Sequence, residues 1–248
     1  MVVCPTSEHL KMRDEEFVCC MKFRLGMAIN FDGPDTHGFQ HLADNRGGRL
    51  NARHSGMLAG WRQVMVEAGG QIPDRNVERL LHNTHVPVPA GDLRRLDLVV
   101  PGFNVAHGLP LFCDITVISP VSRNGQPRAG TSNRGGRYLE LADADNTATY
   151  QPVVDSGLGA LYCLGCEVYG RWGQPCITLM SALVRERTRM LNPRVRRGTA
   201  LGLQHRWWGI LSVTLQKAVA TAILRQTGED LQTSLLEPVP GIADLPVV

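Results

Sequence analysis

Apolar residues recur along this chain in two ways, at helical spacing and in short continuous runs, and the two patterns divide it into helices and strands. Asp14 to Leu25 carries Phe17, Cys20, Met21 and Leu25 at helical spacing, behind three acids that suit a helix N-terminus, and Gly26 closes it. His54 to Ala68 is the clearest helix. Met57, Leu58, Trp61, Val64, Met65 and Ala68 form one stripe, Ser55 is a candidate N-cap, and Gly69-Gly70 ends it. Tyr138 to Val154 places Leu139, Ala142, Asn146, Tyr150 and Val153 on one face and Glu140, Asp143 and Asp145 elsewhere. Gln174 to Leu191 is an amphipathic helix broken before Pro193, and a longer one runs from Arg196 to Arg225.

Three apolar runs read as strands: Leu96 to Val100, Leu111 to Val117, and Ala160 to Tyr169. The last is nearly all apolar, which predicts a central position. Ile72 to Leu81 fits a strand or one helical turn. Residues 1–12, 27–52, 82–93 and 119–137 lack a period and read as loose ends or connections, and the chain from Glu229 is Pro-rich and extended. This order predicts an α/β (α+β) fold, a small central mixed sheet flanked by helices.

Composition narrows the picture only a little. The 248 residues, 43% hydrophobic and 20% charged, suffice for one large core or two small ones. The net charge of +3 points to no particular partner. Seven cysteines, an odd number and several of them in apolar segments, argue for reduced thiols in a nuclear or cytoplasmic setting; no signal-peptide core begins the sequence. No apolar run approaches the ~18–20 residues that span a bilayer, so no membrane is expected as a partner.

The candidate chemistry centres on Arg95 to Val117. Asp97 and Asp114 each interrupt an apolar strand, and a buried carboxylate is costly unless paired or bound to a metal. Either the two acids hold a cation, or Asp97 merely begins a strand and Asp114 faces water. Glu78, the one acid in its apolar segment, either joins them or pairs with a neighbour such as Arg79. Arg53 and His54 begin the clearest helix, where they either reach an anionic ligand or are simply exposed.

Local charge offers two more candidates. The loop before Tyr138 carries four arginines, including Arg134 and Arg137, and no acid; it either touches phosphates or is a solvated excursion. Between Arg185 and Arg206 lie seven arginines, among them Arg194, Arg196, Arg197 and Arg206, against the single Glu186, and Trp207 and Trp208 follow. That combination fits a nucleic-acid face or a solvated helix face over buried indoles. Asp35, His37, His41 and Asp44 have a loose metal-like spacing without cysteine, and Cys163-Leu-Gly-Cys166 is a lone pair of cysteines.

In order, these pieces resemble the restriction-enzyme-like endonuclease found at the C-terminus of site-specific non-LTR retrotransposon proteins, a member of the PD-(D/E)xK nuclease superfamily, and related C-terminal regions of reverse-transcriptase-type open reading frames in protists. Glu16-Phe17 and Arg24-Leu25-Gly26 resemble its leading helix, Asp35 to Asp44 its zinc knuckle, and Arg53-His54-Ser55 its basic-His motif. Leu96-Asp97 stands for Pro-Asp, Asp114-Ile115-Thr116-Val117 for Asp-Val-Thr-Val, and Asn146 to Tyr150 for Lys, three residues, Tyr.

The resemblance implies a restriction-endonuclease-like core with extra C-terminal helices. Its divisions are an N-terminal helix and degenerate knuckle (1–52), the nuclease-like core (53–170), a helical extension (171–228) and a tail (229–248). It implies a Mg²⁺-dependent DNA endonuclease-like domain with Asp97 and Asp114 as ligands and Glu78 as an auxiliary. DNA, or RNA, would be the partner, and a reverse transcriptase region would share a longer parent polypeptide. The knuckle lacks its cysteines, so zinc is not expected. Asn146 stands where the family's lysine would be, which opens the alternative of a catalytically inactive nucleic-acid-binding remnant; Arg134 and Arg137, in the loop before the helix, are candidates to replace that charge.

Overall fold

The computed structural model describes residues 11–29, 35–43, 49–72, 79–101 and 103–224. Glu78 and Asp44, both singled out above, lie outside the described residues, as does the tail.

The centre is a three-stranded mixed sheet of order β3 (Leu98–Val100), β4 (Leu111–Ile118) and β5 (Ala160–Glu167). β3 and β4 pair antiparallel, with Leu98 opposite Cys113, and β4 and β5 pair parallel, with Asp114 opposite Cys163. The middle strand is therefore β4, which carries Asp114, rather than the more apolar β5. Two short strands, β1 (Arg79–Leu80) and β2 (Arg95–Leu96), form a separate antiparallel ribbon.

Seven helices are described: α1 (Asp14–Arg24), α2 (Phe39–Ala43), α3 (Arg49–Glu67), α4 (Arg137–Thr149), α5 (Gln151–Ser156), α6 (Gln174–Thr188) and α7 (Pro193–Leu224). The boundaries depart from the sequence expectation where local chemistry intervenes. α3 starts at Arg49 rather than His54, so part of the expected 27–52 loop is helical. The single helix expected from Tyr138 breaks at Tyr150, with Pro152 in the first turn of α5. Pro193 opens α7 instead of merely ending α6, since its missing N–H is no loss at a helix start, and Asn192 Oδ1 accepts the Arg194 N–H at 3.0 Å.

One face of the sheet packs on α3 and α6, and α7 lies against those two helices and α1. Cys113, Ile115, Leu164 and Cys166 join Trp61, Leu179, Trp207 and Leu211 in this large core. The other face meets α4 and α5, where Leu96, Val99, Phe112, Tyr150 and Val153 form a smaller core. α7 is long enough, and at a mean hydropathy of 1.2 apolar enough, to cross a membrane, contrary to the sequence count; yet 67% of that stretch is buried in the protein, the burial of a core helix.

The strand bearing Asp97 does not run straight. Leu98 pairs with Cys113, and the Asp97 N–H also donates to the Cys113 carbonyl at 3.0 Å, so two residues oppose one, as in a β-bulge. Residues two apart on an unbroken strand share a face. Here Leu96 belongs to the small core and Leu98 to the large one. The bulge thus sets Asp97 at the point where the chain leaves the sheet.

Candidate active site

The local geometry follows from that break. Asp97 is buried, and its Oδ2 accepts the Ile115 N–H at 2.6 Å, replacing the backbone acceptor that a continuing strand would supply. The same oxygen lies 2.9 Å from His54 Nε2, brought from the first turns of α3. Its Oδ1 accepts no hydrogen bond from another described residue.

Asp114 faces the other way across β4, toward α4, and is half-buried. Thr116, two residues on, shares its face. Asn146 Nδ2 donates to Asp114 Oδ2 at 3.0 Å and to Thr116 Oγ1 at 2.7 Å, and Thr116 Oγ1 lies 3.3 Å from Asp114 Oδ2. One turn along the same helical face, Tyr150 Oη lies 3.0 Å from Asp114 Oδ1 and 2.5 Å from the Arg95 carbonyl. A phenol has one proton and a carbonyl can only accept. When Tyr150 donates to Arg95, its contact with Asp114 is a hydrogen bond only if the carboxyl carries the proton.

Burial raises the Asp114 pKa, and the nearby Asp97 charge raises it further, while Tyr150, Thr116 and His54 act against them. Burial and Asp114 together also raise the Tyr150 phenol. Two nearby carboxylates are what a cation would relieve, and a carboxylate offers about four lone-pair sites, so an oxygen already hydrogen-bonded can still ligate. Oxygen donors of this kind, with Asp97 Oδ1 open, fit a hard divalent cation such as Mg²⁺. No group of three or more His, Cys, Asp or Glu side chains poised for a metal occurs among the described residues, which do not include Glu78.

The other residues singled out in the sequence are dispersed. Arg53 is drawn inside at 2% exposure, donating from Nη1 to the Leu42 carbonyl at 2.7 Å, and burial pulls its pKa down to about 10. It ties α3 to α2 and is not at the surface. Arg134 and Arg137 both pair with Glu140 at the start of α4. At 1.5 Å per residue, Arg137 sits about 13 Å along the helix axis from Asn146, away from the lysine's expected place. Arg206 and the Trp207 indole converge on Glu67, Arg206 at 2.7 Å and 2.9 Å and Trp207 at 2.9 Å, clamping α7 to α3. Trp208 packs on Trp172 with ring centroids 5.2 Å apart, so both indoles serve packing. Arg196 donates to the Arg189 and Leu191 carbonyls, and Arg194 and Arg197 are exposed at the start of α7.

In the knuckle-like segment, Asp35 accepts the His41 N–H at 2.9 Å and His37 stacks on Phe39. Cys163 and Cys166 point to opposite faces of β5: Cys163 lies 3.6 Å from Thr147 of α4, and Cys166 is in the large core. Burial raises both thiols, the state of inert cysteines.

Two polar residues outside the ligand set complete the site. Asn146 and Tyr150, four apart on one helical face, had a signal in that spacing alone. Asp143, a turn earlier, lies against Gly165 and Gly173, and burial followed by Glu140 raises its pKa to about 6.

Comparison with models of known protein families, with curated proteins and with solved structures returned no match. Fold and site therefore rest on the chain's own chemistry.

Proposed function

We propose that this chain is an endonuclease-like domain of retroelement descent that binds DNA and hydrolyses a phosphodiester bond with Mg²⁺, in a restriction-endonuclease-like core. The observation that supports the proposal is that Asp97, from a bulged strand, lies near enough to Asp114 of the central strand for its charge to raise the Asp114 pKa, with His54 on Asp97 and with Asn146 and Tyr150 on Asp114. Asp97 and Asp114 would hold the cation, with Glu78 as an auxiliary. When bound, Mg²⁺ lowers the pKa of a water and stabilises charge on the phosphoryl oxygens. Asp97 orients His54, Tyr150 holds Asp114 against the Arg95 carbonyl, and Asn146 fixes Thr116 and Asp114 as one unit. Such a role places the chain in the nucleus or the cytoplasm, as part of a polypeptide that also carries a reverse transcriptase region.

A specific observation favours a second reading. Asn146 is neutral and spends both amide protons on Thr116 and Asp114, where an ammonium would supply charge. Removing one such electrostatic group costs about 10²–10³ in rate. A catalytically inactive nucleic-acid-binding remnant would keep this geometry without turnover.

Plasmid nicking separates the two. The nuclease proposal expects relaxed circles with Mg²⁺ that EDTA, Asp97→Ala or Asp114→Ala abolishes. DNA binding that persists in EDTA without nicking supports the remnant.

A further inference from the structure

The arginines near α7 form a linear cluster in the sequence; the fold sets some of them around a groove. α6 and α7 meet at a tight turn, and between them lies an open depression of about 440 Å³, lined by Val184 and Arg185 of α6 and Pro193, Arg196, Arg197 and Ala200 of α7. Ser181 and Thr188 of α6 also line it, but their hydroxyls are spent on the Ile177 and Val184 carbonyls, so what the depression offers is mainly apolar surface with guanidinium groups beside it. Arg196 is spent holding the turn, through its bonds to the Arg189 and Leu191 carbonyls at 3.1 Å and 2.9 Å. Arg185 and Arg197 are exposed, and neither forms a hydrogen bond or ion pair with a described residue. The one acid nearby, Glu186, is engaged by Arg189 at 3.3 Å.

The first turns of α7, from Pro193 to Thr199, are exposed along their whole length, so the groove stands clear of the core. It lies between α6, which packs on β5, and α7, which packs on α6 and α3. None of Asp97, His54, Asp114, Asn146 and Tyr150 is among its lining residues.

The geometry points to a second nucleic-acid contact here: the α6–α7 groove holds a single-stranded segment, one base resting on the apolar floor and the flanking phosphates on Arg185 and Arg197. The occupant is chosen on charge and shape together. A polyanion matches two exposed guanidinium groups with no opposing acid. The concave apolar floor between them suits an unstacked base, which a duplex does not present. The inference rests on the nucleic-acid-binding part of the proposed function and is independent of its chemistry.

Fluorescence anisotropy of the full chain in EDTA tests it, with a labelled oligothymidylate and a duplex of equal length as probes. The single strand should bind more tightly than the duplex. The Arg185→Ala/Arg197→Ala variant should weaken it about tenfold and flatten the salt dependence by a slope of about 1.4, at ~0.7 per phosphate contact on a single strand. Ala200→Leu, which fills the floor and keeps every charge, should weaken the single strand while leaving the salt slope as in the parent. Circular dichroism on each variant checks that the helices are retained. Equal affinity for both probes, parental binding by the double arginine variant, or equal competition by polyglutamate overturns the inference. Loss of nicking by Asp114→Ala with groove binding intact concerns only the carboxylate site, so the two failures are distinguishable.

Discussion

Asn146 reaches from α4 to within 3.0 Å of Asp114 and gives that carboxylate a neutral amide as its neighbour. The other amide proton goes to Thr116, so the helix is locked to the strand through a closed triangle of polar groups. Geometry for holding the acid is thus retained, while the amide at this position adds no positive charge beside it.

Tyr150→Phe removes the hydroxyl shared by Asp114 and the Arg95 carbonyl. That part-buried carbonyl then loses this donor, and the variant should lose about 0.5–1.5 kcal/mol of stability. Urea unfolding of parent and variant measures the loss.

Arg53 is a core residue, and its variant should behave as one. Arg53→Ala leaves a void and strips the Leu42 carbonyl of its donor, which should cost about 2–4 kcal/mol. Nucleic-acid affinity and its salt slope, measured where the variant is still folded, should match the parent. A flattened salt slope would instead place Arg53 on a phosphate.

Gly165 permits the close approach of α4 to the sheet. A Cβ there would lie 2.4 Å from Asp143 Oδ1 and 2.8 Å from Leu139 Cδ1. Gly165→Ala should therefore push α4 outward, lower stability by about 1–3 kcal/mol, and disturb Asn146. Thermal unfolding reads the first effect and amide NMR shifts of Asn146 the second.

Asp143 carries a pH dependence of known sign. Its folded pKa, about 6, exceeds the ordinary carboxylate value of 3.8, so the folded chain binds the proton more tightly than the unfolded one. The stability this contributes is fully present below about pH 4 and is lost as pH rises through about 6. Asp143→Asn should flatten the fall in melting temperature across that window.

Much of this was legible in the sequence because period and punctuation agreed. The stripe Met57–Trp61–Val64–Ala68 and the apolar run of β5 appear where their spacing puts them. Breaks set by side-chain chemistry were harder to read. The bulge at Asp97 arises from a carboxylate that caps Ile115, a long-range bond that no local pattern carries. The identity of β4 as the central strand was hidden because its two polar residues, Asp114 and Thr116, are hydrogen-bonded by Asn146 of α4. Arginine density was legible, but its partition was not: Arg206 is committed to Glu67, Arg196 to backbone carbonyls, and Arg185 and Arg197 to neither. That division depends on which helix each one meets.

The central claim is that Asp97 and Asp114 act as one Mg²⁺-dependent hydrolytic centre, weakened by the amide at Asn146. The most direct measurement is supercoiled-plasmid nicking by the parent, Asn146→Lys, Asp97→Ala and Asp114→Ala, side by side with and without Mg²⁺. The account predicts Mg²⁺-dependent nicking by the parent, at least tenfold faster nicking by Asn146→Lys, within the ~10²–10³ that one electrostatic group supplies, and none by either alanine variant. Intact plasmid with both the parent and Asn146→Lys, or nicking that survives Asp97→Ala and Asp114→Ala, would contradict it.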